Sequence, residues 1–111
     1  MSIYAERLER IRQGTRLSRE DVAKVVGSSS RTVARWATGS NVPRGMPRQR
    51  LLDLAAVSQQ VARVMVPDAA TAWLHEPNAE LGNSRPMDLI AQGRSTDVLD
   101  LIEAIADGVF V

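Results

Sequence analysis

Between residues 48 and 65, apolar side chains at 51, 54, 55, 57, 61, 62, 64 and 65 follow a helical period. That spacing returns one stripe to the same side of an α-helix every three or four positions. The stripe constrains the fold more than any other feature, because a helix of about five turns is buried only by packing other elements around it. No stretch of the chain alternates apolar and polar residues with period two over a useful length, so the elements available for that packing are helices. The expected fold class is all-α.

The other helices are marked by their punctuation. Residues 4–13 carry Tyr4, Leu8 and Ile11 on one face, with Gly14 as the expected stop. Ser18 reads as the N-cap of "REDVAKVV": its hydroxyl can accept from a free amide of the first turn, and Glu20 and Asp21 suit the positive end of the helix dipole. Gly27 ends that helix. Serines 28–30 offer a cap for residues 31–37, which Gly39 closes, and "SNVPRGMP" reads as a loop from its Pro and Gly content. After the long helix, Pro67 or Asp68 opens "DAATAWLHE", which Pro77 stops. "NAELGNSR" turns, Pro86 starts a short helix to residue 92, and Gly93 stops it. Ser95 or Thr96 is then expected to cap residues 97–107, whose Val98, Leu101, Ile102 and Ile105 form a stripe ending at Gly108. This reading divides the chain into residues 1–47, a helix-turn-helix region; 48–66, a connecting helix; and 67–111, a second helical domain.

Composition excludes several functions. The chain has no cysteine, so disulfide frameworks, thiolate zinc sites and thiol nucleophiles are absent. Its one histidine, His75, cannot supply the usual ligand set of a zinc site within one chain and is read as ending the Trp73 helix. No glycine-rich phosphate loop and no nucleophile–base pair is evident, so neither catalysis nor a cofactor is expected. No apolar run reaches the roughly 20 residues of a membrane span, and "MSIYAERLER" is charged where a signal peptide would be apolar; the expectation is a cytoplasmic protein.

The net charge of +1 hides an asymmetry. Residues 1–50 hold 11 Lys/Arg against 4 Asp/Glu, net +7, and residues 51–111 hold 3 against 9, net −6. A basic half points to a polyanionic partner, most often nucleic acid. With Arg19 as the first position of a motif, a small Ala23 falls fifth, where two helices cross closely, and Gly27 falls ninth, where a tight turn needs positive φ. Val22, Val26, Val33 and Trp36 supply the apolar positions that lock the pair. The arrangement resembles the helix-turn-helix of phage-repressor-like regulators over about residues 4–50. The resemblance implies that the second helix enters the major groove, with Ser29, Ser30, Arg31, Arg35 and Thr38 facing DNA. Arginine can take guanine O6 and N7 as a fork, while serine hydroxyls and helix N-terminal amides can hold phosphate. The bland reading of Arg31 and Arg35 is a solvated face.

The acidic half carries the second motif. From the residues alone, Trp73 and Leu74 face a core, Pro77, Gly82 and Pro86 fix turns, and Asn78 is a cap or turn residue. Asp97, Asp100, Glu103 and Asp107 recur at helical spacing, either as a solvated face or as a surface for basic side chains. The order Trp73, Pro77, Asn78, Leu81, Pro86, Asp88, Leu89, Gly93, Val98, Leu101, Ile105, Gly108, Phe110 resembles the signature of the Xre/MbcA/ParS toxin-binding family over residues 67–111. These are the antitoxin halves of bacterial toxin–antitoxin pairs, and a preceding helix-turn-helix is the family's own order.

The resemblance implies a RES-domain toxin as partner, an enzyme that degrades NAD or transfers part of it to a protein. It further implies inhibition by binding beside or into that enzyme's active-site cleft, repression of the chain's own operon at operator DNA, and a homodimer or larger complex with toxin. Trp73, Asn78, Leu81, Asp100, Glu103, Gly108, Val109, Phe110 and Val111 are the expected toxin contacts, with "GVFV" as a plug for the NAD cleft. Without the resemblance, Val109 and Phe110 would be read as folding back onto Ile102 or Ile105 beside a glycine cap. Two other functions remain open at this point. One is a plain transcriptional regulator whose C-terminal helices dimerise it; the other is a pure inhibitor that keeps the helix-turn-helix as a scaffold.

Overall fold

Residues 2–108 are described by the computed structural model. They form seven α-helices and no strand: α1 (Ile3–Thr15), α2 (Arg19–Val26), α3 (Ser30–Thr38), α4 (Gly45–Val61), α5 (Pro67–His75), α6 (Pro86–Ala91) and α7 (Ser95–Ala106), with a 3-10 turn at Ala79–Leu81 between α5 and α6. The all-α expectation holds.

The long helix is the axis of the molecule. Leu51, Leu54, Val57 and Val61 of α4 are wholly buried, and α1, α2, α6 and α7 all pack on it. Removing each of those side chains from water is worth about 1.5–3 kcal/mol. One apolar cluster runs from Leu8 of α1 through α4 to Ile102 of α7, so both halves share a core. Helices α1 and α4 run parallel. At one end the Tyr4 hydroxyl accepts from Arg48 Nε at 2.7 Å, and at the other a Cβ on Gly14 would lie 3.4 Å from both Ala62 Cβ and the Ser58 carbonyl oxygen.

That contact corrects the first helix. Gly14 does not stop α1; it lets α1 approach α4 closely, and the helix continues to Thr15 before Arg16 takes the left-handed conformation at φ 55°. Helix α4 also differs from its expected span. It begins at Gly45, since Pro47 sits in a first turn whose amides need no partner. It ends at Val61, where the Arg63 and Val64 amides donate three residues back to the Gln60 and Val61 carbonyls and the Met65 amide shares the Val61 carbonyl. The following Pro67 holds Val66 extended at ψ 160° and shuts off further helix.

Helix α2 is built as its sequence indicates. Ser18 accepts from the Asp21 amide at 3.1 Å while Asp21 accepts from the Ser18 amide at 3.3 Å, closing a reciprocal cap. Helix α7 is not. Ser95 is its first residue and is buried rather than capping, and Arg94 precedes it with no side-chain cap bond. The segment after α5 returns on itself: Asn78 and Ser84 pair as an isolated antiparallel bridge around the 3-10 turn.

Candidate functional sites

Two surfaces of opposite charge emerge from this frame. The first is the α2–α3 pair. Ala23 is buried at the crossing, Gly27 adopts φ 77° in the turn, and Val22, Val26, Val33 and Trp36 are all buried, so the spacing argument and the core reading of Trp36 hold. The Ser29 hydroxyl accepts from the Thr32 amide at 3.1 Å and meets Thr32 Oγ1 at 3.0 Å, which fixes the start of α3. Ser30 begins the helix half-exposed, while Thr38 at its end donates to the Arg35 carbonyl at 3.1 Å and contacts Ser40 Oγ at 2.6 Å.

Arg31 and Arg35 lie one turn apart, both exposed, on a helix without a single acidic residue. Among the described residues neither makes an ion pair. Other arginines do: Arg10 holds Glu6 at 2.8 Å, Arg85 holds Asp88 at 2.8 Å, and Arg94 holds Asp97 at 2.9 Å. The forks on α3 are therefore left for an external acceptor.

The second surface surrounds α7. A groove of about 690 Å³ lies between the 3-10 turn and α7, with Leu81, Leu89 and Leu101 among its apolar lining; its charges are Glu80, Asp100 and Asp97, the last paired with Arg94, the one basic residue among the described residues that line it. A smaller groove of about 410 Å³ on the other side of the helix is lined by Val64, Leu99 and Ile102 and bordered by Glu103 and Asp107. Two of the expected contacts, Leu81 and Asp100, thus come together, whereas Glu103 faces a different groove. Trp73 borders neither groove and packs half-buried against the core. The Asn78 side-chain oxygen accepts from the Glu80 amide at 2.9 Å and its carbonyl accepts from Leu81 and Asn83, so this residue holds the turn that presents Leu81. Gly108 ends α7 at φ 78°, as expected of a stop. Val109, Phe110 and Val111 lie outside the described residues.

Two cross-links between the halves have no signature in local spacing. Arg50 of α4 donates to the Ala91 carbonyl at the end of α6 at 3.2 Å and pairs with Asp53 at 3.6 Å. Its guanidinium lies where a Cβ on Gly93 would stand, 2.7 Å from Nη2, and Gly93 has φ 81°. His75 in the last turn of α5 contacts the Thr71 carbonyl through Nδ1 at 2.6 Å and Asp21 Oδ1 of α2 through Nε2 at 3.2 Å. The Thr71 carbonyl, and then Asp21, raise the imidazole pKa against the opposing effect of burial. For Asp21, burial pushes upward, but the donors from His75 and Ser18 outweigh it and leave the carboxyl below its ordinary range.

Comparison with known proteins adds independent findings. Residues 62–108 match the family described as the antitoxin Xre/MbcA/ParS C-terminal toxin-binding domain. The chain is 43% identical over 95 residues to the mycobacterial cidal antitoxin MbcA of Mycobacterium tuberculosis, covering 86% of this chain and 84% of that relative. A probable mycobacterial cidal antitoxin of the same organism is 35% identical over 91 residues, 82% of this chain and 77% of its own length. A chain in the crystal structure of the M. tuberculosis MbcT–MbcA toxin–antitoxin complex superposes with a TM-score of 0.91 at 38% identity over 100% of both chains.

Proposed function

The chain belongs to the Xre/MbcA/ParS family of antitoxins, and from that premise we propose that it binds a cognate RES-domain toxin, blocks that enzyme's NAD site and represses its own operon through α3. The observation that carries the toxin half is the family match over residues 62–108, because it spans the turn and helix that build the apolar, acid-rimmed groove. Leu81 lies in that groove beside Asp100; Asn78 holds the turn beneath it. Trp73 backs the segment from the core, and Glu103 extends the contact to the far side of α7. A protein surface rich in lysine and arginine suits this rim, since opposite charge speeds encounter and fixes orientation.

Inhibition needs an element that reaches the reacting centre. Gly108 takes φ 78° at the end of α7, and Phe110, two positions on in the sequence, offers an aromatic ring that suits a cleft built for a nucleotide. On this reading residues 108–111 are the plug. The operator half rests on the free forks of Arg31 and Arg35, with Ser29, Ser30 and Thr38 toward phosphate or base edges. The chain acts by binding alone and performs no chemistry of its own.

The test is NAD consumption by the product of the neighbouring toxin gene, with equal amounts of the full chain or of a chain ending at Asp107. The full chain should inhibit, and the shortened one should bind without inhibiting. Equal inhibition by both would remove the plug and leave the groove as the inhibitory surface. Failure of the full chain to bind would favour a plain transcriptional regulator.

A further inference from the structure

His75 is the only histidine in the chain, and the antitoxin reading gives it no task. Its two ring nitrogens both face groups that can only accept: the Thr71 carbonyl oxygen at 2.6 Å and a carboxylate oxygen of Asp21 at 3.2 Å. A neutral imidazole has one N–H, so it would leave a lone pair pointed at one of these oxygens; the imidazolium donates to both. The placement favours charge on each side as well. His75 sits in the last turn of α5, the negative end of its dipole, and Asp21 sits in the first turn of α2, the positive end.

The surroundings leave this pairing intact. From α2, Asp21 and Lys24 line the cleft; from the segment entering α6 come Arg85 and Asp88. Arg85 opposes charge on the ring, but its fork is held by both Asp88 oxygens at 2.8 and 2.9 Å. Helix α1 meets α5 through Arg16 and Asp68 at the opposite end of the helix. Asp21 meanwhile keeps its second oxygen on the Ser18 amide, so one carboxylate both caps α2 and receives α5.

We propose that His75, in its doubly protonated form, is a positioning residue that ties the end of α5, and with it the Asn78–Leu81 turn, to the helix-turn-helix, and releases that tie when the ring loses a proton. Only the name of what is positioned rests on the antitoxin reading; the tie belongs to the chain itself. The sign follows from the directions of the two shifts. The imidazole is raised above its ordinary 6.5, so its contribution is complete below that value and disappears as pH rises through the folded value. The carboxyl is lowered from 3.8, so its contribution is complete above that value and is lost only as pH falls through the lowered one.

A single histidine makes the test direct. The imidazole C–H resonance of the full chain should titrate above the ordinary position and move down in Asp21→Asn, whose amide oxygen can still accept from Ser18. Amide exchange at Leu74 and His75, corrected for intrinsic rates, should rise about two- to fivefold as pH passes that midpoint in the wild type, the range of a partly exposed ion pair. His75→Gln should give a pH-independent rate near the fast limit, and His75→Lys, which stays charged, a pH-independent rate near the slow one. A midpoint at the ordinary position, or one that Asp21→Asn leaves unchanged, would overturn the proposal. So would the same pH dependence in His75→Gln. Toxin binding is read separately: loss of binding by the wild type at every pH would sink the antitoxin reading and leave these titrations standing.

Discussion

Helices α3 and α7 are both short and amphipathic, and their ends follow opposite electrostatic logic. Helix α3 opens on a Ser29 cap, closes on Gly39 at φ 78° and carries no carboxylate. Its arginines stand on a helix that is already satisfied. Helix α7 has no side-chain cap, and Asp97 suits its first turn, but Glu103 falls in its last turn and Asp107 follows, with no basic residue there to offset them. Arg63, which borders the same groove, donates to Gln60. A carboxylate at that end opposes the dipole by roughly 0.3–1 kcal/mol. The lesson is that α3 displays charge its own fold does not need, whereas α7 carries charge its own fold does not reward. The second pattern is the one expected of the toxin-binding surface proposed for α7.

The largest effect should come from the element the two regions share. Leu54→Ala opens a cavity in the wholly buried centre of α4 and should cost about 2–5 kcal/mol. Denaturation followed at both tryptophans, Trp36 in the basic half and Trp73 in the acidic half, should show one transition in the wild type and in the variant. Separate transitions would break the shared core into two.

Next come the arginines. Arg31→Ala and Arg35→Ala should each weaken binding to the chain's own promoter by about 1–3 kcal/mol in a shift assay and leave unfolding unchanged. If binding persists, α3 is not the reading helix and the basic face is a solvated one.

Gly93→Ala tests how the acidic half is held. A side chain at φ 81° costs roughly 1–2 kcal/mol, and it would also displace Arg50 from the Ala91 carbonyl. Calorimetry should show the loss, with amide exchange rising in α6 and α7 more than in α2 and α3. A uniform rise would mean that the clasp is not local.

The smallest effect has the opposite sign. Glu103→Gln should stabilise the free chain by about 0.3–1 kcal/mol at low salt, because it removes a charge facing the negative end of α7. The same change should weaken toxin binding. Stabilisation without weaker binding would return the acidic face to solvent.

What the sequence disclosed divides along the same line. Ser18, Gly27, Ser29, Gly39, Pro67, Pro86 and Gly108 act within a few residues of themselves, so their caps, turns and stops could be read locally. The stripe at 51, 54, 57 and 61 likewise announced the buried side of α4. Gly14 misled because a glycine near a helix end has two uses, and only the position of Ala62 across the interface reveals close approach as the operative one. The grip of Arg50 on Ala91 and of His75 on Asp21 join positions 41 and 54 residues apart, where no spacing rule reaches. Leu81 and Asp100 could each be named, yet that they share a groove and that Glu103 does not depends on the turn around Asn78.

The central claim is that one chain carries two separable surfaces, a basic one for DNA and an acidic one for toxin. Its most direct test is paired binding by two full-length variants, Arg31→Ala with Arg35→Ala and Asp100→Lys with Glu103→Lys, each measured against the purified cognate toxin and against the chain's own promoter. The account expects the first to lose the promoter and keep the toxin, and the second to do the reverse. Loss of both partners by either variant, in a chain that still unfolds like the wild type, would contradict it.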